Sequence, residues 1–498
     1  MAESFELIEA TVDAMQQAMA TGALTSEQLV SAYLERIARH DHGGGKLNSV
    51  LEVNPDALII ARAMDDERRL RGPRGPLHGI PVLLKDNIDT HDKLHTSAGS
   101  LPLATSVAPR DAFIVGRLRD AGAVILGKAN MTEFANFMTD NMPSGYSSRG
   151  GQVLNPYLPG KLTPSGSSSG SAVAAAANLT AVAVGTETSG SILSPGNNNS
   201  LVGIKPTVGL VSRSGIIPIA MSQDTAGPLT RTVADAAALL SVLAGVDAGD
   251  PATWAAEGHA CRDYTRFLDR DGLRGARIGV IRGRMSERLD DEEKRLYEAA
   301  IETLRAQGAV VIDPVAIPSL ADGYWESNVL TYEFKAALNA YLAALGPGAP
   351  VRSLKEIIAF NNANPEATLR YGQTLLIAAE ATSGTLADPE YLLDRLRDIR
   401  LTRAEGLDAA LDGNRLDALV FPGSRGCWIA ARAGYPNVIV PAGYTSDGRP
   451  MGIMFGGRAW SEGRLISLAY AFEQATKHRV PPVLADTPPA ATDAPPED

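Results

Sequence analysis

The sequence predicts an α/β fold built on a layered sheet. A helix-like segment, a glycine and an apolar strand follow one another at residues 112–126, and the same order returns at residues 304–312. Repeated helix-then-strand units are typical of a sheet covered by helices rather than of all-α or all-β folds. The 498 residues include 45% hydrophobic and 21% charged side chains, which is an ordinary globular composition.

The first quarter of the chain is predicted to alternate between helices and strands. The predicted helices lie at residues 5–20, 26–39 and 112–121, and the predicted strands at residues 80–84 and 123–126. Thr25 and Gln28 have the spacing of a capping box at the start of the second helix. Gly122 follows the third helix, where a left-handed residue commonly ends a helix.

The middle of the chain places two serines at the ends of regular elements. Residues 141–171 are rich in Gly, Ser, Pro and Asn and are predicted to be loop. The alanine-rich run at residues 171–178 predicts a helix of small side chains, and residues 181–185 predict a short buried strand. Ser167 therefore lies just before a helix, and Ser191 lies in the turn after a strand.

The rest of the chain is predicted to complete the sheet and to add a helical region. Further strands are predicted at residues 277–281, 416–421 and 438–440, a surface segment at 245–275, and a mainly helical region with several aromatic residues at 321–400. From residue 481 the chain is acidic and rich in proline, and this tail is predicted to be mobile.

Charge and cysteine content argue against several classes of function. The net charge of −11 provides no basic surface for nucleic acid or for an anionic membrane. No apolar stretch reaches the roughly 18 residues that a membrane span needs, and residues 1–6 lack the pattern of a signal peptide. Cys261 and Cys427 cannot form a disulfide framework. We therefore expect a cytoplasmic protein, and the seven histidines lack metal-site spacing, so neither a metal nor a cofactor is expected.

Two serines and one lysine are the candidate catalytic residues. Lys85 ends an apolar run, and a lysine removed from water has a lowered pKa and can act as a base. Ser167 and Ser191 lie in turns of small residues, where one hydroxyl can attack a carbonyl and the other can pass on its proton. Backbone N–H groups just before Ser191 can hold an oxyanion. These residues predict a serine hydrolase for amides that needs no catalytic histidine.

Two other nucleophiles remain as alternatives. The sequence GSSSG at residues 166–170 matches the G-x-S-x-G nucleophile elbow, with Ser168 as the nucleophile. An elbow needs a preceding strand, but prolines and glycines precede this one, and neither His259 nor His478 downstream has a catalytic setting. Cys427 is a second alternative as a thiol nucleophile, although a lone cysteine is more typical of buried packing.

Five segments resemble the amidase signature family. They are GIPVLLKDN at residues 79–87, GKANMTEF at 127–134, PSGSSSGS at 164–171, GTETSGS at 185–191 and GIKPT at 203–207. Residues 149–152, 209–213 and 332–336 are most similar to bacterial peptide amidases. The resemblance covers nearly the whole chain and is weakest at residues 245–400. It implies one α/β/α domain over residues 1–480, built on a large mixed, mostly parallel twisted sheet. In that domain residues 321–400 would form a helical region around the substrate pocket, ahead of a flexible tail at 481–498.

The resemblance also implies a role for each candidate residue. Lys85 would be the base, Ser167 the cis-serine that relays the proton, and Ser191 the nucleophile. The implied binding groups are the backbone amides of Thr188, Ser189, Gly190 and Ser191 for the oxyanion, and the backbone at Ala135 for the substrate.

Departures from the family pattern bear on the substrate. Ser189 replaces a glycine that usually precedes the nucleophile, and Leu193 stands where many members have an arginine. Leucine cannot pair with a carboxylate, so small dicarboxylic monoamides are disfavoured. We expect C-terminal peptide amides or other amides with an apolar acyl group. Aryl amides, esters and carbamates form the alternative, and a glutaminase subunit of a tRNA-dependent amidotransferase is an alternative of another class. The expected partner is a small-molecule or peptide amide, and the chain is expected to be a monomer or homodimer.

Overall fold

The computed structural model describes residues 5–322 and 325–484 and is organised around one large mixed sheet. Its strands are β1 (Val50–Val53), β2 (Pro81–Lys85), β3 (Val124–Ala129), β4 (Tyr146–Ser147), β5 (Gly151–Gln152), β6 (Val182–Glu187), β7 (Val202–Lys205), β8 (Thr225–Thr230), β9 (Arg277–Ile281), β10 (Val310–Val315), β11 (Ala418–Pro422), β12 (Asn437–Tyr444) and β13 (Pro450–Gly456). Eleven of them form one sheet in the order β1-β3-β2-β6-β8-β7-β12-β13-β11-β9-β10, and β4 and β5 form a separate small hairpin.

Helices flank this sheet. They are α1 (Val12–Thr21), α2 (Ser26–Arg36), α3 (Ala57–Arg71), α4 (Phe113–Asp120), α5 (Ser169–Ala176), α6 (Leu193–Asn198), α7 (Val233–Leu243), α8 (Asp291–Ala306), α9 (Ser319–Asp322), α10 (Val329–Ala344), α11 (Leu354–Ala363), α12 (Pro365–Thr368), α13 (Thr374–Glu380), α14 (Pro389–Thr402), α15 (Asp408–Gly413), α16 (Cys427–Ala433) and α17 (Glu462–Thr476). Among the described residues, no helix combines the length and the apolar character that crossing a bilayer requires.

The predicted α/β class and the large mixed sheet are confirmed, but the sheet is not mostly parallel. Among the described strands, only the pairs β2–β3, β2–β6, β9–β10 and β9–β11 are parallel. The other six pairings in the large sheet, and the β4–β5 hairpin, are antiparallel. One reason is local: residues 445–449 join β12 to β13 as a hairpin, and a connection that short makes neighbouring strands antiparallel.

Most predicted elements form close to their predicted positions, with one clear exception at the N-terminus. The predicted helix over residues 5–20 begins only at Val12. Glu9 has a left-handed φ of 59°, and the Thr11 side chain caps the helix by accepting from the Ala14 N–H. The capping box of Thr25 and Gln28 is present. The predicted helical region at 321–400 is confirmed over its described part by α10 to α14; residues 323–324 and 485–498 lie outside the described residues.

The central strands and the small-residue helix α5 are fully buried together. All six residues of β6 and all eight of α5 are buried. Gly170 in α5 packs directly on backbone: a Cβ there would lie 2.3 Å from both Asn130 O and Ser49 O. This close approach, which only glycine permits, fixes the start of α5 against the backbone that precedes β1 and follows β3.

A second hydrophobic cluster joins the helical region to two loops. Phe334 and Leu338 of α10 pack with Phe134 and Phe137 from the loop after β3, and with Ile219 from the loop before β8. The rings of Phe137 and Phe334 lie 4.7 Å apart. The helical region is therefore packed against loops that follow or precede the central strands.

Candidate active site

Lys85, Ser167 and Ser191 come from neighbouring elements at one edge of the sheet. Lys85 is the last residue of β2, and β2 pairs in parallel with β6, which ends four residues before Ser191. Ser167 lies two residues before α5. Because neighbouring parallel strands end at the same edge of a sheet, the chain brings these groups together there.

Lys85 is buried with its amine surrounded by hydroxyl groups. Its side chain is 0% exposed. The Nζ atom donates to Ser167 Oγ at 2.8 Å, to Ser168 Oγ at 3.0 Å, and to Thr186 at 2.9 Å (Oγ1) and 3.2 Å (backbone O). The amine is therefore in direct contact with the proposed relay serine.

Burial lowers the pKa of Lys85 to about 7. Loss of water disfavours the charged ammonium, and the carboxylates of Asp224 and Glu187 oppose that effect only in part. A substantial fraction of the amine is neutral near pH 7, which is the state a proton acceptor requires.

Ser167 is held at the start of α5 by its backbone. The Gly166–Ser167 peptide bond is cis, and the carbonyl of Ser167 accepts from the Thr132 N–H at 3.1 Å. The side chain is fully buried. Its hydroxyl is thereby fixed on the amine of Lys85.

Ser191 lies in a turn that a buried glutamate stabilises. Glu187 Oε2 accepts from the backbone N–H groups of Ile192 at 2.7 Å and Leu193 at 3.0 Å. Gly190 adopts a left-handed φ of 88°, and the Ser168 N–H donates to the Ser191 carbonyl at 3.3 Å. The backbone of Ser191 thus contacts the segment that carries Ser167.

The two serine hydroxyls are not hydrogen-bonded to each other in this structure. Within the described residues, Ser191 Oγ forms no hydrogen bond, and Ser191 is 8% exposed. The structure therefore joins Ser167 to Lys85 directly and leaves the Ser191 hydroxyl unengaged beside them. Catalytic hydrogen bonds are commonly long or absent in free enzymes and form in the substrate complex.

Residues 188–191, here called the 188–191 turn, reach a small pocket through Thr188. Ser189 is exposed there and Thr188 is buried, and Ser189 does not have a positive φ, so its Cβ fits the turn. The pocket is small, with a cavity volume of about 10 Å³. Its wall comprises Asn87, Ala135, Thr186, Glu187, Thr188, Arg213, Ile216, Ile217, Pro218, Ile219, Asp224 and Thr225.

Ala135 faces this pocket from an unusual stretch of backbone. Phe134, Ala135 and Asn136 have φ values of 46°, 53° and 73°, a left-handed conformation that non-glycine residues rarely adopt. Such outliers concentrate at functional sites. The predicted substrate contact at Ala135 is thus placed beside the 188–191 turn.

The nucleophile-elbow alternative lacks its partners. Ser168 Oγ donates to the Thr186 carbonyl at 3.0 Å and accepts from Lys85, and the residues before it form no strand. His259 stacks on Trp460 with the rings 5.1 Å apart. Within the described residues, Ser168 has no histidine partner of the kind that activates a serine in an elbow.

Cys427 lies closer to the candidate site than its sequence context indicates. A Cβ at Gly190 would lie 2.9 Å from Cys427 Sγ. Burial raises the pKa of this thiol to about 12, so it stays protonated at neutral pH and is a poor nucleophile. Its side chain therefore packs against the 188–191 turn and is not expected to act as a nucleophile.

Sequence reasoning missed several groups that the structure brings to the site. Thr186 binds Lys85, and Asn87 Nδ2 donates to the same Thr186 hydroxyl at 3.0 Å. Asp224 binds Thr188. Asn87 and Thr186 stand within the conspicuous motifs KDN and GTETSG, whereas Asp224 carries no local signal. Within the described part of the chain, no three His, Cys, Asp or Glu side chains are grouped so as to hold a metal ion.

Comparison with known proteins shows similarity along almost the whole chain. A family model described as Amidase matches residues 28–425. A probable amidase from Arabidopsis thaliana is 46% identical over 492 residues, covering 97% of this chain and 93% of the relative.

Solved structures agree with this finding. The structure of native peptide amidase from Stenotrophomonas maltophilia is similar with a TM-score of 0.91 and 50% identity, covering 96% of this chain and 99% of that one. The structure of the peptide amidase PAM in complex with the competitive inhibitor chymostatin has a TM-score of 0.92 and 49% identity, covering 96% of this chain and 100% of that one.

Proposed function

Because this chain belongs to the amidase signature family and is an amide-hydrolysing enzyme, we propose that it works through a Ser191–Ser167–Lys85 triad. In this proposal Ser191 attacks the carboxamide carbon and forms an acyl-enzyme. The observation that carries the proposal is the buried Lys85 amine, 2.8 Å from Ser167 Oγ and with a pKa of about 7.

The first half-reaction makes the acyl-enzyme. Neutral Lys85 takes the proton of Ser167, Ser167 takes the proton of Ser191, and Ser191 Oγ forms a bond to the carbonyl carbon. The negative charge that develops on the carbonyl oxygen is held by backbone N–H groups of the 188–191 turn. Ser167 then donates a proton to the leaving nitrogen as the C–N bond breaks, and Lys85 returns its proton to Ser167.

The second half-reaction releases the acid. A water molecule replaces the departed amine, gives its proton through Ser167 to Lys85, and attacks the acyl carbon. The bond to Ser191 Oγ then breaks as that oxygen recovers its proton along the same relay. The proton is thus carried by two hydroxyls and one amine, as a histidine and a carboxylate do in the Ser-His-Asp arrangement.

The substrate we propose is a C-terminal peptide amide or another amide with an apolar acyl group. Ile216, Ile217 and Ile219 give the pocket an apolar wall. Leu193 is fully buried beside the nucleophile turn and supplies no charge for a second carboxylate of the substrate. The similarity to peptide amidases points the same way.

Aryl amides, esters and carbamates remain the alternative substrates, and a panel of amino-acid amides, anilides, esters and carbamates decides between them. We expect turnover of N-acylated amino-acid amides with the highest kcat/KM. Activity confined to anilides, esters and carbamates would reject the peptide-amide assignment.

Replacement of Ser191 tests the triad itself. Ser191→Ala is expected to lower kcat by about 10⁴-fold or more, as loss of a triad nucleophile does, while the protein keeps its unfolding midpoint. A fluorophosphonate probe, mapped by mass spectrometry, should label Ser191 in the wild type. Labelling of Ser168, or near-normal turnover by Ser191→Ala, would contradict the proposal.

We also propose that residues 1–480 act as one catalytic domain, as a cytoplasmic monomer or homodimer without partner subunits. Continuity of the eleven-stranded sheet from Val50 to Gly456 supports one domain, and the unpaired Cys261 and Cys427 suit a reducing compartment. Size-exclusion chromatography with activity assayed on the isolated chain distinguishes this from an amidotransferase subunit, which would need partner chains to act.

A further inference from the structure

Asp224 joins two walls of the pocket beside the 188–191 turn. It stands directly before β8 and lines the pocket with Thr188. Thr188 Oγ1 donates to its Oδ1 at 2.5 Å, and the backbone N–H groups of Ile219 and Ala220 donate to its Oδ2 at 2.8 and 3.0 Å. One carboxylate therefore holds the turn and the apolar wall at a fixed separation.

The loop that carries Asp224 is itself anchored from the helical region. The Ser222 N–H donates to Glu333 Oε2 at 2.8 Å, and the Tyr391 hydroxyl donates to Glu333 Oε1 at 2.9 Å. Glu333 belongs to α10 and Tyr391 to α14. Within the loop, the Asp224 N–H donates to the Ala220 carbonyl at 2.8 Å. These contacts fix the position of the Asp224 carboxylate, so that it does not move together with Thr188.

Asp224 also contributes to the charge around the base. Asp224 and Glu187 are the carboxylates from packed elements that act on Lys85, and each raises the pKa of its amine against the larger effect of burial. Asp86, the residue that directly follows β2, is engaged elsewhere: it accepts from the Gly99 N–H at 2.9 Å and from Ser97. Burial raises the pKa of Asp224 to about 6, so it is mainly an anion at neutral pH.

We propose that Asp224 is a positioning residue for amide hydrolysis, holding Thr188 and the 188–191 turn in the geometry that receives the oxyanion. This inference rests on the proposed function of Lys85, Ser167 and Ser191. Asp224 acts through Thr188 and does not itself touch the reacting atoms. Preorganised donors are effective only when they are held in place before the charge develops.

Two substitutions at position 224 separate the hydrogen bonds from the charge. Asp224→Ala removes the side-chain hydrogen bonds to Thr188, Ile219 and Ala220, and should lower kcat at alkaline pH by about tenfold or more with a smaller change in KM. Asp224→Asn can still accept from the two backbone N–H groups and donate to Thr188. The Asp224→Asn variant should therefore retain most of the wild-type kcat.

The pH profile gives the second readout. Asp224→Asn lacks the negative charge that stabilises protonated Lys85, so the pKa of Lys85 falls. The acid limb of kcat/KM should then move to lower pH than in the wild type. Thr188→Val, which removes the hydroxyl and keeps the carboxylate, should lower kcat as Asp224→Ala does and leave the acid limb in place.

Asp235→Asn is the matched control. Asp235 is a buried carboxylate that accepts from the Val12 N–H at 2.9 Å, and it lies on α7, outside the pocket wall. The same substitution there should leave both kcat and the acid limb unchanged. All variants are measured as full-length protein, from pH 5.5 to 9.5, by ammonia release from an N-acylated amino-acid amide.

The outcomes separate this inference from the proposed function. Wild-type kcat in Asp224→Ala or in Thr188→Val overturns the positioning role, as does an unmoved acid limb in Asp224→Asn or an equal shift in Asp235→Asn. If the Ala variant does not fold, Thr188→Val alone decides. If the wild type is inactive on every amide, the proposed function fails and this inference fails with it. If Ser191→Ala abolishes activity while Asp224→Ala does not, only this inference fails.

Discussion

The catalytic role proposed for Lys85 depends on the loss of water around its amine. Its pKa of about 7 lies well below the ordinary value, chiefly because the side chain is buried. The amine accepts a proton only when neutral, so kcat/KM should rise with pH through about 7 and level off above it. Lys85→Arg keeps a charge at every pH and should lose activity by about 10³-fold or more across the whole range. A wild-type rate independent of pH between 5.5 and 8.5 would argue against Lys85 as the base.

At the residue scale, the sequence allowed prediction of the groups within distinctive motifs and missed those that arrive through tertiary contacts. Lys85 at a strand end and Ser191 in a small-residue turn have local signals. Asp224 and Cys427 reach the 188–191 turn from segments that are distant in the chain, and only folding shows their contact with it. The unengaged Ser191 hydroxyl could not be predicted either, because side-chain rotation is not encoded in a motif.

At the level of elements, the position of the start of α5 depends on Gly170, which has no side chain. A Cβ there would collide with the carbonyls of Asn130 and Ser49, both rigid backbone atoms. Gly170→Ala should therefore shift α5, displace Ser167 from Lys85, and lower both kcat and the urea midpoint of unfolding. We expect a loss of about 1–3 kcal/mol in stability, as for other overpacked sites.

Gly116→Ala is the control for that substitution. Gly116 lies within α4, has no positive φ, and a Cβ there would meet nothing within 4 Å. Alanine at such a helical position should stabilise the protein by about 0.5–1 kcal/mol and leave kcat unchanged. Equal effects at the two glycines, measured by urea unfolding and initial rates, would refute the role given to Gly170.

Elements with a clear hydrophobic periodicity or a helix cap were predictable from the sequence. Elements that depend on pairing with strands distant in the chain were not. The capping box at Thr25 and the strand β9 formed where expected. The short strands β1 and β7 have four residues each, too few to show a period. The antiparallel insertion of β8 between β6 and β7 follows from long-range pairing, which is why the expectation of a mostly parallel sheet was wrong.

At the scale of the whole molecule, the N-terminal and C-terminal segments of the described chain meet at the C-terminal end of α5. Arg479 donates to Glu9 at 2.7 and 2.8 Å, to the Ala176 carbonyl at the end of α5 at 2.9 Å, and to the Ser200 carbonyl at 2.8 Å. Its side chain is 9% exposed, against 30% for Glu9. One arginine therefore ties the N-terminal segment, the C-terminal segment and the far end of α5 together.

Arg479→Met, which keeps the bulk of the side chain, should lower the free energy of unfolding by about 2–4 kcal/mol, since it leaves a partly buried carboxylate unpaired.

Burial alone would raise the pKa of Glu9, but Arg479 holds it below its ordinary value. The ionised pair therefore stabilises the fold above pH 4.5 and this contribution is lost as the pH falls through the lowered pKa. The gap in urea midpoint between wild type and variant should be largest near pH 7 and should narrow as the pH falls below 4.5. Arg449→Met is the comparison, because Arg449 also contacts several carboxylates but is 33% exposed, and exposed pairs contribute only about 0–1 kcal/mol. Equal losses from the two substitutions, or a gap that does not depend on pH, would mean that Arg479 does not stabilise the fold through Glu9.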